Sequence, residues 1–286
     1  MTKKITIVLV VIAVVVGIIF INKERLKKEN NLEANKNNMT LEEKLKKLGN
    51  VNKRVNYFNS NYIDRYLKYK ENNRNMKNSD IVLQVNIGLD QEFYTNIKRA
   101  LDIDTTYVLV NKFYYLDENY IPKNLETIDS NYSAPGKKMV NVARISFEYL
   151  AKKALSDGYR IRAVSTYRSF SYQEGLYNNY VAKDGVEKAD KYSARAGFSE
   201  HQTGLAVDVD NFSTSFNDFE NTKEYKWMLD NAYKYGFILR YPKDKENITG
   251  YIYEPWHYRY VGIEIASLIH ENNLSYEEYY FKYIAK

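Results

Sequence analysis

The first strong signal along the chain is an apolar run at residues 5–21, interrupted only by Thr6 and Gly17. Its length falls at the short end of what spans a bilayer, roughly 17 to 25 residues. Lys3 and Lys4 precede the run, and Asn22, Lys23, Glu24 and Arg25 follow it. A removable signal sequence carries small residues at a cleavage site beyond its apolar core. Here Ile18, Ile19, Phe20 and Ile21 lead straight into charge, so the pattern predicts a retained transmembrane helix, with residues 1–22 as the anchor. Both flanks are basic, Lys27 and Lys28 adding to the second, and charge alone assigns no orientation.

Residues 23–78 turn polar, rich in Lys, Asn and Glu, and read as a charged, partly helical stem. Thr40 with Glu43 is a capping-box signature, followed by Leu41, Leu45 and Leu48 at helical spacing and then Gly49. Tyr62, Ile63, Tyr66 and Leu67 predict a second amphipathic helix.

From Ser79 the pattern becomes that of a compact domain, residues 79–286. Residues 81–87 and 106–110 read as strands on either side of a turn region at Gly88, Leu89 and Asp90. Val140, Ala143, Phe147, Leu150 and Ala154 share one helical face that Gly158 closes. Residues 161–165 read as a strand, and Ser171 with Glu174 as a capping box opening a helix through Leu176, Tyr177, Tyr180 and Val181. Further strands are expected at 205–209 and 256–260, and helices at 225–235, stopped by Gly236, and 262–271. Short strands and helices without a regular βαβ rhythm predict an α+β fold, a small mixed or antiparallel sheet flanked by helices.

Composition narrows the chemistry. There is no cysteine, which removes disulfides, thiolate nucleophiles and cysteine-based metal sites together. Any metal site must come from His, Asp and Glu, and the only histidines are His201, His257 and His270. The net charge of +6 would suit a polyanionic neighbourhood, but no clustered basic face or recognition motif supports nucleic-acid binding.

Two segments then stand out: Ser199-Glu200-His201-Gln202-Thr203-Gly204-Leu205-Ala206-Val207-Asp208, and Glu254-Pro255-Trp256-His257-Tyr258-Arg259-Tyr260. Catalytic zinc takes three nitrogen or oxygen ligands and keeps a fourth position for water. His201, Asp208 and His257 would supply that set, with Gly204 turning the chain between the first two. Strand alternation puts Leu205, Val207 and Val209 on one face and Asp208 on the other. Asp210 shares the face of Asp208 and is the rival ligand or a supporting partner. Glu254, three residues before His257 and stiffened by Pro255, is placed to act as a general base beside the metal. His270 has no such setting and reads as a surface residue.

The spacing Ser-x-His-x-x-Gly-x-Ala-x-Asp, followed by Glu-x-Trp-His, resembles the VanY-like D-alanyl-D-alanine carboxypeptidases, zinc peptidases related to the hedgehog-type fold. The likeness runs from about Ser79 onward. It includes Leu109-Val110-Asn111-Lys112 with Tyr120-Ile121-Pro122, and the stretch Ser165-Thr166-Tyr167-Arg168-Ser169 with Gln173, where Thr166 stands in place of the family's Gly. The resemblance implies zinc on His201, Asp208 and His257, and Glu254 as base. Arg168 would stabilise the oxyanion or hold the substrate carboxylate, and Gln173 and Ser199 would bind the substrate's end. It implies hydrolysis of the terminal D-alanine of peptidoglycan stem peptides, which places the catalytic domain outside the cell membrane that anchors it; a monomer is expected. Two other readings stay open: an L,D-carboxypeptidase acting on tetrapeptide stems, and a non-catalytic zinc module that binds wall peptide.

Overall fold

The computed structural model describes residue 18 and residues 21–28, 39–214 and 216–285. Apart from Ile18, Ile21 and Asn22, the expected membrane anchor lies outside the described residues. Among those described, no helix is long and apolar enough to cross a membrane. The chain divides into two compact units, Met1–Asn78 and Ser79–Lys286.

In the first unit, helix α1 (Leu41–Lys47) starts at a capping box in which Thr40 and Glu43 satisfy each other's backbone N–H. Helix α2 (Ile63–Asn72) buries Ile63, Tyr66 and Leu67, the positions its spacing picks out. Lys44 pairs with Asp64 at 2.6 Å, linking the two helices.

Helix α3 (Asn78–Ile87) occupies the first segment expected to be a strand. Ile81, Val82, Leu83, Val85 and Ile87 are all buried, on more than one side of the helix, so the apolar positions show no amphipathic period. A short apolar run of that kind does not separate strand from buried helix. The second expected strand, residues 106–110, belongs to no ladder either. The carbonyls of Thr106 and Val108 accept instead from the buried Arg259 guanidinium, at 3.1 and 2.7 Å.

Strands β1 (Lys98–Arg99) and β2 (Tyr114–Tyr115) form a parallel pair, and β3 (Leu125–Thr127) and β4 (Lys138–Val140) an antiparallel one. Helix α4 (Asn141–Ser156) then leads to β5 (Arg162–Ser165), the first strand of the main sheet. Helix α5 (Phe170–Asp184) starts two residues before the expected point. Its cap is Ser169, whose hydroxyl accepts from the Tyr172 amide, which leaves Ser171 inside the first turn. After α6 (Val186–Tyr192) come β6 (Ala206–Asp210), α7 (Lys223–Asn231), β7 (Phe237–Leu239), α8 (Glu246–Thr249), β8 (His257–Tyr260), α9 (Ile263–Glu271) and α10 (Tyr276–Tyr279).

The main sheet is antiparallel throughout, in the order β5-β6-β8-β7. Phe147, Leu150 and Ala154 of α4 share the core with Leu205, Val207 and Val209 of the central strand. Each such large side chain contributes about 1.5–3 kcal/mol by leaving water. The α+β reading and the face assignment of β6 both hold. Core packing on one face turns Ala206, Asp208 and Asp210 to the other. The register sets Asp208 directly opposite His257 on β8 and Ser165 on β5. An irregularity between Ala163 and Ser165 shifts the end of β5 just where Arg168 and its neighbours leave the sheet.

Candidate active site

A single turn, Glu200–Thr203, carries His201 to the sheet. It closes at Gly204 with φ 69°, where an added Cβ would stand 2.9 Å from Leu125 Cδ2 and 3.0 Å from Val140 Cγ2. Left-handed backbone and close packing together require glycine there. On the far side of the turn, the Thr166 carbonyl accepts from His201 Nδ1 at 2.7 Å. That bond fixes the tautomer and leaves Nε2 bare, 3.3 Å from Asp208 Oδ2 and without a hydrogen-bond partner. Thr166, the departure from the family's Gly, is buried and its hydroxyl accepts from the Lys138 amide at 3.0 Å.

His257 approaches Asp208 from the opposing strand, with Nδ1 2.9 Å from Oδ1. One ligand atom from each of His201, Asp208 and His257 lies within 4.8 Å of the other two, and all three residues are buried. The Tyr241 ring packs against His257 at a centroid separation of 4.9 Å. Glu254 is held by its amide on the Tyr241 carbonyl, at 3.1 Å, while its own carbonyl accepts from His257 N at 3.2 Å. This tight turn sets its carboxylate 3.9 Å from His257 Nδ1, close to the set yet outside it.

The electrostatics fit a divalent cation. Burial pushes His201 down to about 4, with the Arg168 charge adding to it, so the ring is neutral and its Nε2 lone pair free. Burial would lower His257 too, but the facing carboxylates of Asp208 and Glu200 outweigh that and leave it at about 9. Asp208 stays ionised against its burial because both imidazoles hold it well below the usual carboxylate range. His257 Nδ1 and the facing Asp208 oxygen are donor atoms of the kind a Lewis acid would bind in place of a proton. Two imidazoles and one carboxylate are a catalytic zinc set, and the bare Nε2 of His201 is a buried donor atom that such an ion would satisfy. Burial lifts Glu254 to about 8, helped by the Asp208 charge.

Arg168 spreads its guanidinium over three partners: Ser165 Oγ at 3.2 Å, Gln173 Oε1 at 2.7 Å and Asp208 Oδ2 at 3.1 Å. Gln173 is buried, with its other end on the Ala194 carbonyl at 2.7 Å, and it is absent from the lining of the cleft. Its hydrogen bond to Arg168 is the contact the structure shows for the residue that the resemblance implied at the substrate's end. Ser199 and Arg168 do line the cleft, which measures about 580 Å³ and runs from the metal set along α5 past Tyr172, Leu176 and Tyr180. Asp210, the rival ligand, is turned away into a bidentate pair with Arg162 at 2.9 and 2.6 Å. His270 is exposed and stacks on Tyr233, with ring centroids 3.9 Å apart.

Sequence reasoning missed Glu200, Arg240 and Arg259, all buried behind His257. The available signal was a charged residue inside each apolar or motif segment: Glu200 between Ser199 and His201, and Arg259 within the Trp-His-Tyr-Arg-Tyr strand.

Comparison with known proteins agrees with this site. The family VanY: D-alanyl-D-alanine carboxypeptidase matches residues 136–263. YodJ of Bacillus subtilis (strain 168), whose name as a carboxypeptidase is provisional, is 41% identical over 208 residues, covering 68% of this chain and 76% of that protein. The solved LD-carboxypeptidase LdcB, studied for peptidoglycan recognition, is 42% identical at a TM-score of 0.62, over 66% of this chain and 91% of that one. The vancomycin-resistance D,D-pentapeptidase VanY, solved with Zn(II), is 34% identical at a TM-score of 0.53, over 61% of this chain and 98% of that one.

Proposed function

Because this chain belongs to the VanY-like carboxypeptidase family, we propose that it is a zinc-dependent carboxypeptidase removing the terminal D-alanine of peptidoglycan stem peptides. The observation that carries this reading is the buried cluster of His201, Asp208 and His257 with Glu254 beside it and Arg168 opening onto the same cleft. His201, Asp208 and His257 would hold the zinc, which when bound would supply Lewis-acid polarisation and lower the pKa of a water toward neutrality.

The chain's own groups do the rest. Glu254 takes the proton from the attacking water and returns it to the departing amine; burial, by lifting it toward neutrality, suits it to both transfers. Arg168, oriented by Gln173 and Ser165, offers a charge-assisted fork to the substrate's terminal carboxylate or to the oxyanion formed on attack. Ser199 hydrogen-bonds the substrate's end from the wall of the cleft.

A second reading, L,D cleavage of tetrapeptide stems, is favoured by the higher structural likeness to LdcB than to VanY. One experiment separates the two. The purified full chain is incubated with pentapeptide and tetrapeptide stems, with a chelator control, and products are weighed by mass spectrometry. Loss of alanine from the pentapeptide alone supports D,D cleavage, and from the tetrapeptide alone L,D cleavage. If neither is cut in a zinc-replete preparation, the carboxypeptidase assignment fails.

A further inference from the structure

Two buried polar atoms face each other behind the metal cluster without a hydrogen-bond partner: His257 Nε2 and Glu200 Oε2, 3.6 Å apart. Glu200 lies next to His201 in sequence, yet its carboxylate reaches the other histidine. Its second oxygen, Oε1, accepts from Arg240 Nε at 2.8 Å and from Arg259 Nη1 at 2.9 Å. Arg240 turns its remaining fork onto Glu277 of α10, at 2.9 and 2.6 Å, and Arg259 spends its other nitrogens on backbone carbonyls. Both arginines and Glu277 are fully buried, and the four charges cancel.

A sealed cluster of this kind is a poor way to add stability, since desolvation of each ion costs several kcal/mol. It is a good way to hold one carboxylate rigidly. Both guanidinium groups bind Oε1, so Oε2 is left aimed at the imidazole and can only accept. His257 Nδ1 also faces a carboxylate, Asp208 Oδ1 at 2.9 Å; with a cation shared between those two atoms, Nε2 facing Glu200 is the nitrogen left to carry the proton of a neutral ring.

We propose that Glu200 is a positioning residue: by accepting from His257 Nε2 it selects the tautomer and ring orientation in which Nδ1 is the metal-binding atom. The proposal rests on the reading of His201, Asp208 and His257 as the zinc set. The two histidines then bind through different nitrogens, His201 through Nε2 because Thr166 takes its Nδ1–H, and His257 through Nδ1 because Glu200 takes its Nε2–H.

The test uses the full chain loaded with zinc. With only three histidines, long-range proton–nitrogen spectra of ¹⁵N-labelled protein report each ring. The expected result is a proton on Nε2 of His257 and on Nδ1 of His201; a proton on Nδ1 of His257 overturns the proposal without any variant. Glu200→Gln keeps the shape, but both arginines claim its one carbonyl oxygen, which leaves the amide NH₂ facing His257 and favours the wrong tautomer. Zinc affinity, read by competition with a chromophoric chelator, should fall about 10–100-fold. Glu200→Asp, which can still accept, should recover part of it. Glu277→Gln removes the same charge from the same cluster but leaves the acceptor in place, and should cost clearly less. Equal losses in Glu200→Gln and Glu277→Gln would reduce Glu200 to a buried counter-charge and overturn the proposal. A parent protein that binds no zinc would overturn the ligand reading itself, and this one with it.

Discussion

Glu254 and Arg168 both reach the cluster of His201, Asp208 and His257, one beside His257 and the other through Asp208, and their removal should have different consequences. Glu254→Gln leaves His201, Asp208 and His257 untouched, so zinc should stay while turnover falls by about 10²–10⁴. A metal count and steady-state hydrolysis on the same preparation check this; full activity would remove Glu254 from the mechanism. Arg168→Ala should also keep zinc, with the loss divided between KM and kcat according to how much of its work is carboxylate binding. Away from the site, Lys112 gives a test by pH. It is buried, donates to the carbonyls of Asp190 and Gly250 at 2.5 and 2.6 Å, and is pushed by burial down to about 8. Between that value and about 10.5, its ordinary value, the unfolded chain keeps the proton that the folded chain has released. Stability should therefore rise with pH across that window relative to Lys112→Met, as urea unfolding at stepped pH would show. The residues proposed for metal and base could be picked out because their spacing is local, each motif lying within about ten residues. Glu200, Arg240, Arg259 and Glu277 find one another across much longer separations, and nothing in a linear pattern says which buried charge meets which.

At the scale of elements, the register of β6 decides which aspartate can face the histidines. Asp208 stands opposite His257, whereas Asp210, two residues on, stands opposite Arg162 and is bound by it. Asp210→Asn should accordingly keep one equivalent of zinc and lose some stability, since Arg162 is then left with a neutral partner, whereas Asp208→Asn should release the metal. Elemental analysis and thermal unfolding separate the two outcomes. Alternation along 205–209 was readable because one face of that strand meets α4 and the other meets polar groups. The run at 81–87 was not, because apolar side chains buried on several sides of a helix leave no period to reveal. Residues 106–110 failed for another reason. They have a strand's composition, but their carbonyls are taken by Arg259 rather than by a neighbouring strand, and composition carries no record of the partner.

At the scale of the molecule, the boundary between the two compact units lies at Asn78 and Ser79, and every residue assigned to the site falls in the second. A fragment of residues 79–286 should therefore fold cooperatively, bind one zinc and retain the hydrolytic activity of the full chain; a fragment that unfolds or releases zinc would make the first unit part of the enzyme. If residues 5–21 anchor the protein with this unit outside, protease added to wall-stripped cells should digest it, and full protection would refute that placement. The buried charge cluster also bears on the order of assembly. Chains grow from the amino end, so all three proposed zinc ligands and the base leave the ribosome before Glu277 does. Until that residue arrives, Arg240 and Arg259 share a single carboxylate, and the pocket behind His257 carries surplus positive charge. The charge balance behind His257 is thus among the last features to be completed as the chain is made.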